Sequence, residues 1–474
     1  MEKILSKKTA IFVAAFAVAF KSFLSAALEL HPDEAYYWLW SKHLALGYYD
    51  HAPMVAYFIK LTTFLSNSEF FVRFSSILVT VFLSLLIWKF AKKLFDEKTA
   101  AASVIIVNTM PMLMSVSFIM TPDVPLFLFY ALAVYFFYSL VKTRETKYWY
   151  VTGIFLGLAL LSKYTAVLFV PCIFIYMLLD NKLYWFKSKH FYLMFVLAFA
   201  VFLPVVIWNW QHGWISFSYQ LGHGVGSSPL TLRYLGEYFG GQLLVAGPFI
   251  FVFAVVASAA YLFSKDSKKL FLFSFSFPVV AFFAVTALKR LPYANWTAFA
   301  YFVFAVMVAQ FMLAGNSRIK KKFLIAGIIF NVIVSLLLGL HEKYSIIPME
   351  RISHHAAIAD TTNFLTGWKA LGDKLKNLDV KYVVTYGHQY AALMAYYTQG
   401  KKEVLTDSPK TTQFSYWPAP QDLKTSKTAY VYVDIGGEEN YSGLKDAEVF
   451  KVYRYGVPVR QYAVIVYDGY SRRY

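Results

Sequence analysis

Charge is scarce in this chain and cysteine is almost absent. Only 15% of the 474 residues are charged, and the single cysteine, Cys172, lies inside an apolar run. No internal disulfide can form, and a cysteine-based metal site is excluded. No Gly-rich phosphate loop, internal repeat or low-complexity tract is visible. What fills the chain is hydrophobic residue, 58% of it, with 20% aromatic. A helix of about 20 apolar residues crosses the ~30 Å hydrocarbon core of a bilayer. From residue 9 to residue 340 such runs follow one another with short polar loops between them, which excludes a soluble protein.

The formal net charge is +18. Nucleic acid is not the implied partner, because the cations sit at alternate ends of the apolar runs rather than on one polar face. That is a topological pattern. Eleven spans are expected, near 9–28, 71–91, 100–119, 124–141, 148–161, 164–180, 190–210, 242–263, 270–288, 296–314 and 323–340. With Lys7 and Lys8 on the cytoplasmic side, the loops holding Lys92, Lys142, Lys187, Lys268 and Lys320 also fall inside. An N-terminal run after Lys7 and Lys8 also resembles a signal peptide, with Ser25-Ala26-Ala27 as a cleavage site. The run is long for that purpose, and a retained anchor is the preferred reading.

Eleven spans from an inside start leave residues 341–474 outside, in a periplasm-like space. Polar residues increase there. Helices are expected near 368–378 and 389–398, with strands near 382–386, 429–434, 449–454 and 459–467. Such alternation describes a small soluble α/β domain. The fold class expected is a polytopic α-helical membrane protein with this domain at its C-terminus, divided at 1–340 and 341–474.

Unusual polar residues gather at the outer boundary. They are His31-Pro32-Asp33-Glu34-Ala35-Tyr36-Tyr37, Tyr49-Asp50-His51-Ala52-Pro53, Thr121-Pro122-Asp123, Ser162-Lys163-Tyr164, a loop carrying His212 and His223, and Lys289-Arg290 through Asn295-Trp296. Each has a bland explanation. Pro32 followed by Asp33 and Glu34 is good helix-start chemistry, Thr121 can cap a helix, and Lys163 can snorkel to the interface. Asn295-Trp296-Thr297 matches a glycosylation sequon, which beside a span reads as chance. Together the motifs say more, because ionisable groups near hydrocarbon are costly unless paired or hydrated. Acids and bases at one depth imply a shared, water-accessible cavity. A transporter would instead favour broken helices near the midplane in two related halves.

At these residues the chain resembles the polyprenyl-phosphate-dependent glycosyltransferases of the GT-C type, in the bacterial branch similar to aminoarabinose transferase and protein O-mannosyltransferases. The resemblance covers roughly residues 1–340. It implies outer juxtamembrane helices near 34–65, an essential acid at Asp33 with Glu34 beside it, a second acid at Asp123 and a lysine at Lys163. In the aminoarabinose branch an acid and a loop histidine can hold a divalent metal, which by position would be Asp50 and His223. Two departures stand out: His51-Ala52-Pro53 replaces Lys-Pro-Pro, and Tyr36 replaces an arginine.

The chemistry so implied needs a carboxylate to take the proton of an acceptor hydroxyl, assigned to Asp33 with Glu34 as alternative. It also needs cations to receive the departing phosphate, assigned to Lys163, Arg290 and Lys289. Asp123 would orient a cation or the sugar, and Tyr36, Tyr37, His51, Tyr293, Asn295 and Trp296 are the expected substrate contacts. The expected partners are a polyprenyl-phosphate-linked sugar, a glycolipid or glycan acceptor, with lipid A or its core favoured, and membrane lipid. Single displacement would invert the anomeric carbon. The competing readings are a flippase or transporter for the lipid-linked sugar, a protein O-mannosyltransferase-like enzyme, and a non-catalytic envelope scaffold.

Overall fold

The computed structural model describes residues 4–224, 230–436, 441, 444 and 446–471. Two compact units are present. The first comprises Met1–Phe23, Ala45–Phe58 and Arg73–Leu338, and the second Leu24–Leu44, Ile59–Val72 and Gly339–Tyr474.

The multi-pass character expected from the apolar runs is present. Among the described residues seven helices are long and apolar enough to cross a membrane: Lys7–Ala27, Glu69–Leu94, Asp123–Thr143, Lys189–Gln211, Ser267–Thr286, Ala294–Leu313 and Arg318–Tyr344. The pair Arg233–Ala246 and Pro248–Leu262 makes an eighth if counted as one span, bent by 109°. The bend is built at Gly247, whose φ of +82° favours glycine and where an added Cβ would meet Asn331 Oδ1 at 1.7 Å. Asn331 Nδ2 donates to the Ala246 carbonyl at 2.8 Å, satisfying a group freed by the break.

The remaining three expected spans fold as shorter helices. Glu97–Thr109 stops before Pro111 and gives way to a π-helical turn, Met112–Val116. Lys147–Ser162 has 16 residues and ends at Lys163, which is extended at φ −158° and ψ 136°. The run after it opens as a 3₁₀ turn, Tyr164–Leu168, before Phe169–Leu179.

These breaks leave Asp123 and Lys163 at helix ends. Small residues hold the second one in position. Gly153 and Gly157 let Lys147–Ser162 lie against Lys189–Gln211 so closely that a Cβ on Gly153 would be 2.4 Å from the Met194 carbonyl oxygen. One on Gly157 would be 2.6 Å from Val201 Cβ. Small residues four apart are a common way for membrane helices to approach.

Among the described residues the second unit is built on a five-stranded sheet of order β2-β1-β3-β5-β4. Its strands are β1 Tyr382–Thr385, β2 Glu403–Thr406, β3 Thr428–Ile435, β4 Glu448–Arg454 and β5 Val457–Tyr467. β1 is parallel to β2 and β3, whereas β5 is antiparallel to β3 and β4. Trp368–Asn377 precedes β1, and His388–Tyr397 makes the crossover from β1 to β2. Tyr382, Val384, Leu405, Leu423, Tyr430 and Tyr470 form a core cluster on the sheet.

Segments from early in the chain belong to this same unit. The helix Pro32–Lys42 packs on His388–Tyr397, with Trp38 edge-on to Tyr396 at 5.0 Å between ring centroids. Leu30 N donates to Tyr397 Oη at 2.8 Å. Glu29 accepts the Trp368 backbone N–H at 2.6 Å, placing a carboxylate at the positive end of the helix Trp368–Asn377. Burial raises the Glu29 carboxyl above its ordinary value, against the backbone N–H groups of Trp368, Lys369 and Gly367.

Candidate functional site

Asp33 occupies the first turn of Pro32–Lys42. His31 is the N-cap, with Nδ1 accepting the Asp33 backbone N–H at 3.2 Å, and Glu34 Oε2 accepts the His31 N–H at 2.9 Å. That reciprocal arrangement is a capping box, and Pro32 supplies a preset φ at the first helical position. Glu34 is fully buried in this cap. Asp33, with 39% of its side chain exposed, points elsewhere. Its Oδ1 accepts Gln389 Nε2 at 2.6 Å. Its Oδ2 lies 3.7 Å from His31 Nδ1. Because the lone pair of that nitrogen already accepts a backbone N–H, the nitrogen offers no proton to Oδ2. No cation reaches Asp33 among the described residues.

Tyr36 and Tyr37 are buried in the same helix. Tyr36 packs against His388 with 4.6 Å between ring centroids, and its Oη accepts the Gln413 N–H at 2.9 Å. Burial lowers the His388 imidazole below its ordinary value, with the Asp33 charge pulling the other way.

Asp123, Lys163 and Asn295 meet in the first unit. Lys163 Nζ donates to Asp123 Oδ1 at 2.8 Å, and Asn295 Nδ2 donates to Oδ2 at 2.9 Å. The ion pair is nearly sealed, with 9% of the Lys163 side chain and 5% of the Asp123 side chain exposed. Removing two charges from water is expensive, so such a pair is sustained by its geometry and its extra hydrogen bond. Asp123 therefore links three chain segments that lie far apart in sequence.

A second polar patch in this unit surrounds Tyr219. Burial, followed by Asp50, Tyr49 and Tyr293, pushes the Tyr219 phenol up to about 12, with Arg290 opposing. Arg290 Nη1 donates to the Gly222 carbonyl at 2.9 Å. Gln220 Nε2 bonds the Asp50 carbonyl and lies 3.4 Å from His51 Nδ1. Tyr293 is exposed and packs edge-on to Trp296 at 5.7 Å, so residues 290–296 run from this patch to Asn295 and the Asp123 pair. Lys289 is exposed beside Arg290. The His223 side chain lies outside the described residues. Among the described residues no group of three or more His, Cys, Asp or Glu gathers as a metal site. Asp50 alone does not make one, and no chemical step is assigned to a metal.

Three features escaped the sequence. Gln389 and Tyr219 carry no distinctive signal in polar surroundings. Lys21 did carry one, being a lone cation within the first apolar run. It is 3% exposed, and its ammonium donates to Thr80 and Ser117 hydroxyls, each at 2.7 Å.

Comparison with known proteins agrees with the resemblance. The family described as dolichyl-phosphate-mannose-protein mannosyltransferase matches residues 50–208. The fold is shared over nearly the full length with the crystal structure of ArnT from Cupriavidus metallidurans bound to undecaprenyl phosphate. The TM-score is 0.70 at 11% identity, covering 96% of this chain and 97% of that one. The resemblance to GT-C glycosyltransferases stands. The apo ArnT structure from the same organism matches with a TM-score of 0.65 at 11% identity, covering 96% of this chain and 98% of that one. The lipid A galacturonosyltransferase RgtD of Rhizobium johnstonii is 30% identical over 281 residues, 58% of this chain. The chain spans 59% of the length of that relative.

Proposed function

We propose that the protein is an integral-membrane glycosyltransferase that moves a sugar from a polyprenyl-phosphate donor to lipid A or its core at the periplasmic face. The observation that carries this reading is the contrast between two carboxylates. Asp33 keeps an oxygen uncommitted by any hydrogen bond among the described residues, whereas Asp123 holds a buried lysine in place. The first arrangement is suited to accepting a proton, and the second to presenting a cation.

In the transfer, the acceptor oxygen forms a bond to the anomeric carbon as the bond from that carbon to the phosphate oxygen breaks. Asp33 Oδ2 takes the proton of the acceptor hydroxyl. The electron pair leaves with the polyprenyl phosphate, whose growing charge is met by Lys163 and Arg290, with Lys289, the neighbour of Arg290 in sequence, as a further cation. Lys163 spends one ammonium hydrogen on Asp123 and keeps two for phosphate oxygens. Asn295 secures the other Asp123 oxygen, so the ammonium does not swing away. A single displacement of this kind inverts the anomeric centre.

The carrier in the ArnT crystal structure is undecaprenyl phosphate, and we assign the same class of carrier here. The named activity of RgtD favours a uronic acid as the sugar and lipid A as the acceptor. We place the protein in the inner membrane of a bacterium, with its N-terminus cytoplasmic and residues 341–474 as a soluble periplasmic domain. On this reading the three shorter helical stretches that begin at Glu97, Lys147 and Tyr164 complete eleven crossings. Purified protein supplied with undecaprenyl-phosphate-linked galacturonic acid and lipid A should yield lipid A heavier by one uronic acid, without an ion gradient or a second compartment. Movement of the lipid-linked sugar across a liposome bilayer with no product would instead establish the transporter.

A further inference from the structure

We propose that Gln389, in the first turn of the helix His388–Tyr397 that follows the carboxyl end of β1, is a positioning residue for the transfer. It fixes the Asp33 carboxylate through a neutral hydrogen bond and leaves Oδ2 to the acceptor hydroxyl. This inference rests on the reading of Asp33 as general base. It gives the C-terminal sheet a share in the chemistry.

The geometry is specific. The 2.6 Å bond from Gln389 Nε2 is the hydrogen bond that the Asp33 carboxylate receives among the described residues. A general base gains from a partner that fixes its orientation without neutralising it. A lysine or arginine in this place would hold the carboxylate equally well but weaken it as a proton acceptor, because a nearby opposite charge favours the ionised form. An amide orients one oxygen and adds no charge.

The element carrying that amide is rigid. Its helix, His388–Tyr397, follows β1 directly and is tied to the segment bearing Asp33 by Tyr397 and Tyr396. Groups held on such scaffolds keep their geometry better than groups on free loops. His388 packs against Tyr36, one turn along from Asp33, and encloses the corner. The functional ends of parallel strands in α/β sheets are their carboxyl ends, and the turn after β1 is one of these.

The test uses membranes from cells lacking the protein, which retain the native donor and acceptor. Purified full-length variants are added, and the rate of product formation is followed by mass spectrometry across pH. Gln389→Met should slow transfer about tenfold, as expected when a reacting group loses its orientation. Gln389→Glu should move the acidic limb of the pH–rate profile to higher pH by about one unit or more, and Gln389→Lys should move it to lower pH. His31 and His388 also face Asp33 and are unchanged in all three variants, so opposite displacements report on the position 389 charge. A purely structural role for Gln389 would not produce them. If Asp33→Asn abolishes product while both charge variants leave the limb in place, Gln389 is not a positioning residue and the base assignment survives. If Asp33→Asn retains full activity, the base assignment itself fails.

Discussion

Asp123 and Asp33 are both acids at helix starts, yet they sit in opposite environments. Asp123 has each oxygen engaged, one by an ammonium and one by an amide, and is almost wholly buried. Asp33 has one oxygen engaged by an amide and remains 39% exposed. Differences of this kind suit two carboxylates to different tasks, and on the proposed reading Asp33 serves acid–base chemistry and Asp123 holds a cation. The lesson is that a motif containing an acid does not define its task. What reaches the carboxylate does.

The contrast can be broken most severely at the freer acid. Asp33→Asn is nearly isosteric and should lower the transfer rate by roughly 10²–10⁴, the span typical of general acid–base catalysis, while leaving the thermal stability of the detergent-purified protein unchanged. Asp123→Asn should act first on stability. It strands the Lys163 ammonium in a buried site, at a cost of about 3–5 kcal/mol, readable as a fall in the unfolding midpoint. The double variant Asp123→Asn/Lys163→Met should recover much of that loss but no activity.

Further from the chemistry, Gly157→Leu forces a side chain against Val201 and should destabilise the protein by about 1–3 kcal/mol. Transfer should fall with it, because that helix ends at Lys163. The smallest effect concerns pH. His388 is held below its ordinary value by burial, so the folded state binds its proton less readily than the unfolded chain. Its contribution to stability is present above the ordinary histidine range and is lost as pH falls through it. Acid unfolding of wild type should therefore be eased by this group, and His388→Gln should unfold at lower pH in a denaturant titration.

Much of the fold was legible because its signals are coarse. Apolar runs of sufficient length announce membrane helices whatever their internal order, and alternation after residue 380 announced four strands and a helix among them. Continuity was less legible. Hydropathy is blind to the break before the π-helical turn and to the 109° bend at Gly247, both of which depend on backbone geometry, whereas the helix end at Lys163 was marked by the polar Ser162-Lys163-Tyr164. β2 was missed because a four-residue strand that opens on the charged Glu403 and follows Lys401 and Lys402 carries little pattern. At the site, Asp123, Lys163 and Asn295 were visible as separate motifs, but only tertiary contact joins them into one group. Gln389 was invisible, since a glutamine in a polar segment says nothing until it is seen against a carboxylate 356 residues away in sequence.

The most direct test of the central claim is a mass comparison of envelope glycolipids from cells that have the protein, lack it, or carry Asp33→Asn. The expected result is one sugar missing from lipid A or its core in both the deletion and the Asp33→Asn cells, with the variant present in membranes at normal amount. A sugar that persists in Asp33→Asn would contradict the assignment of the base. Glycolipids that are identical in all three strains would contradict the transferase itself.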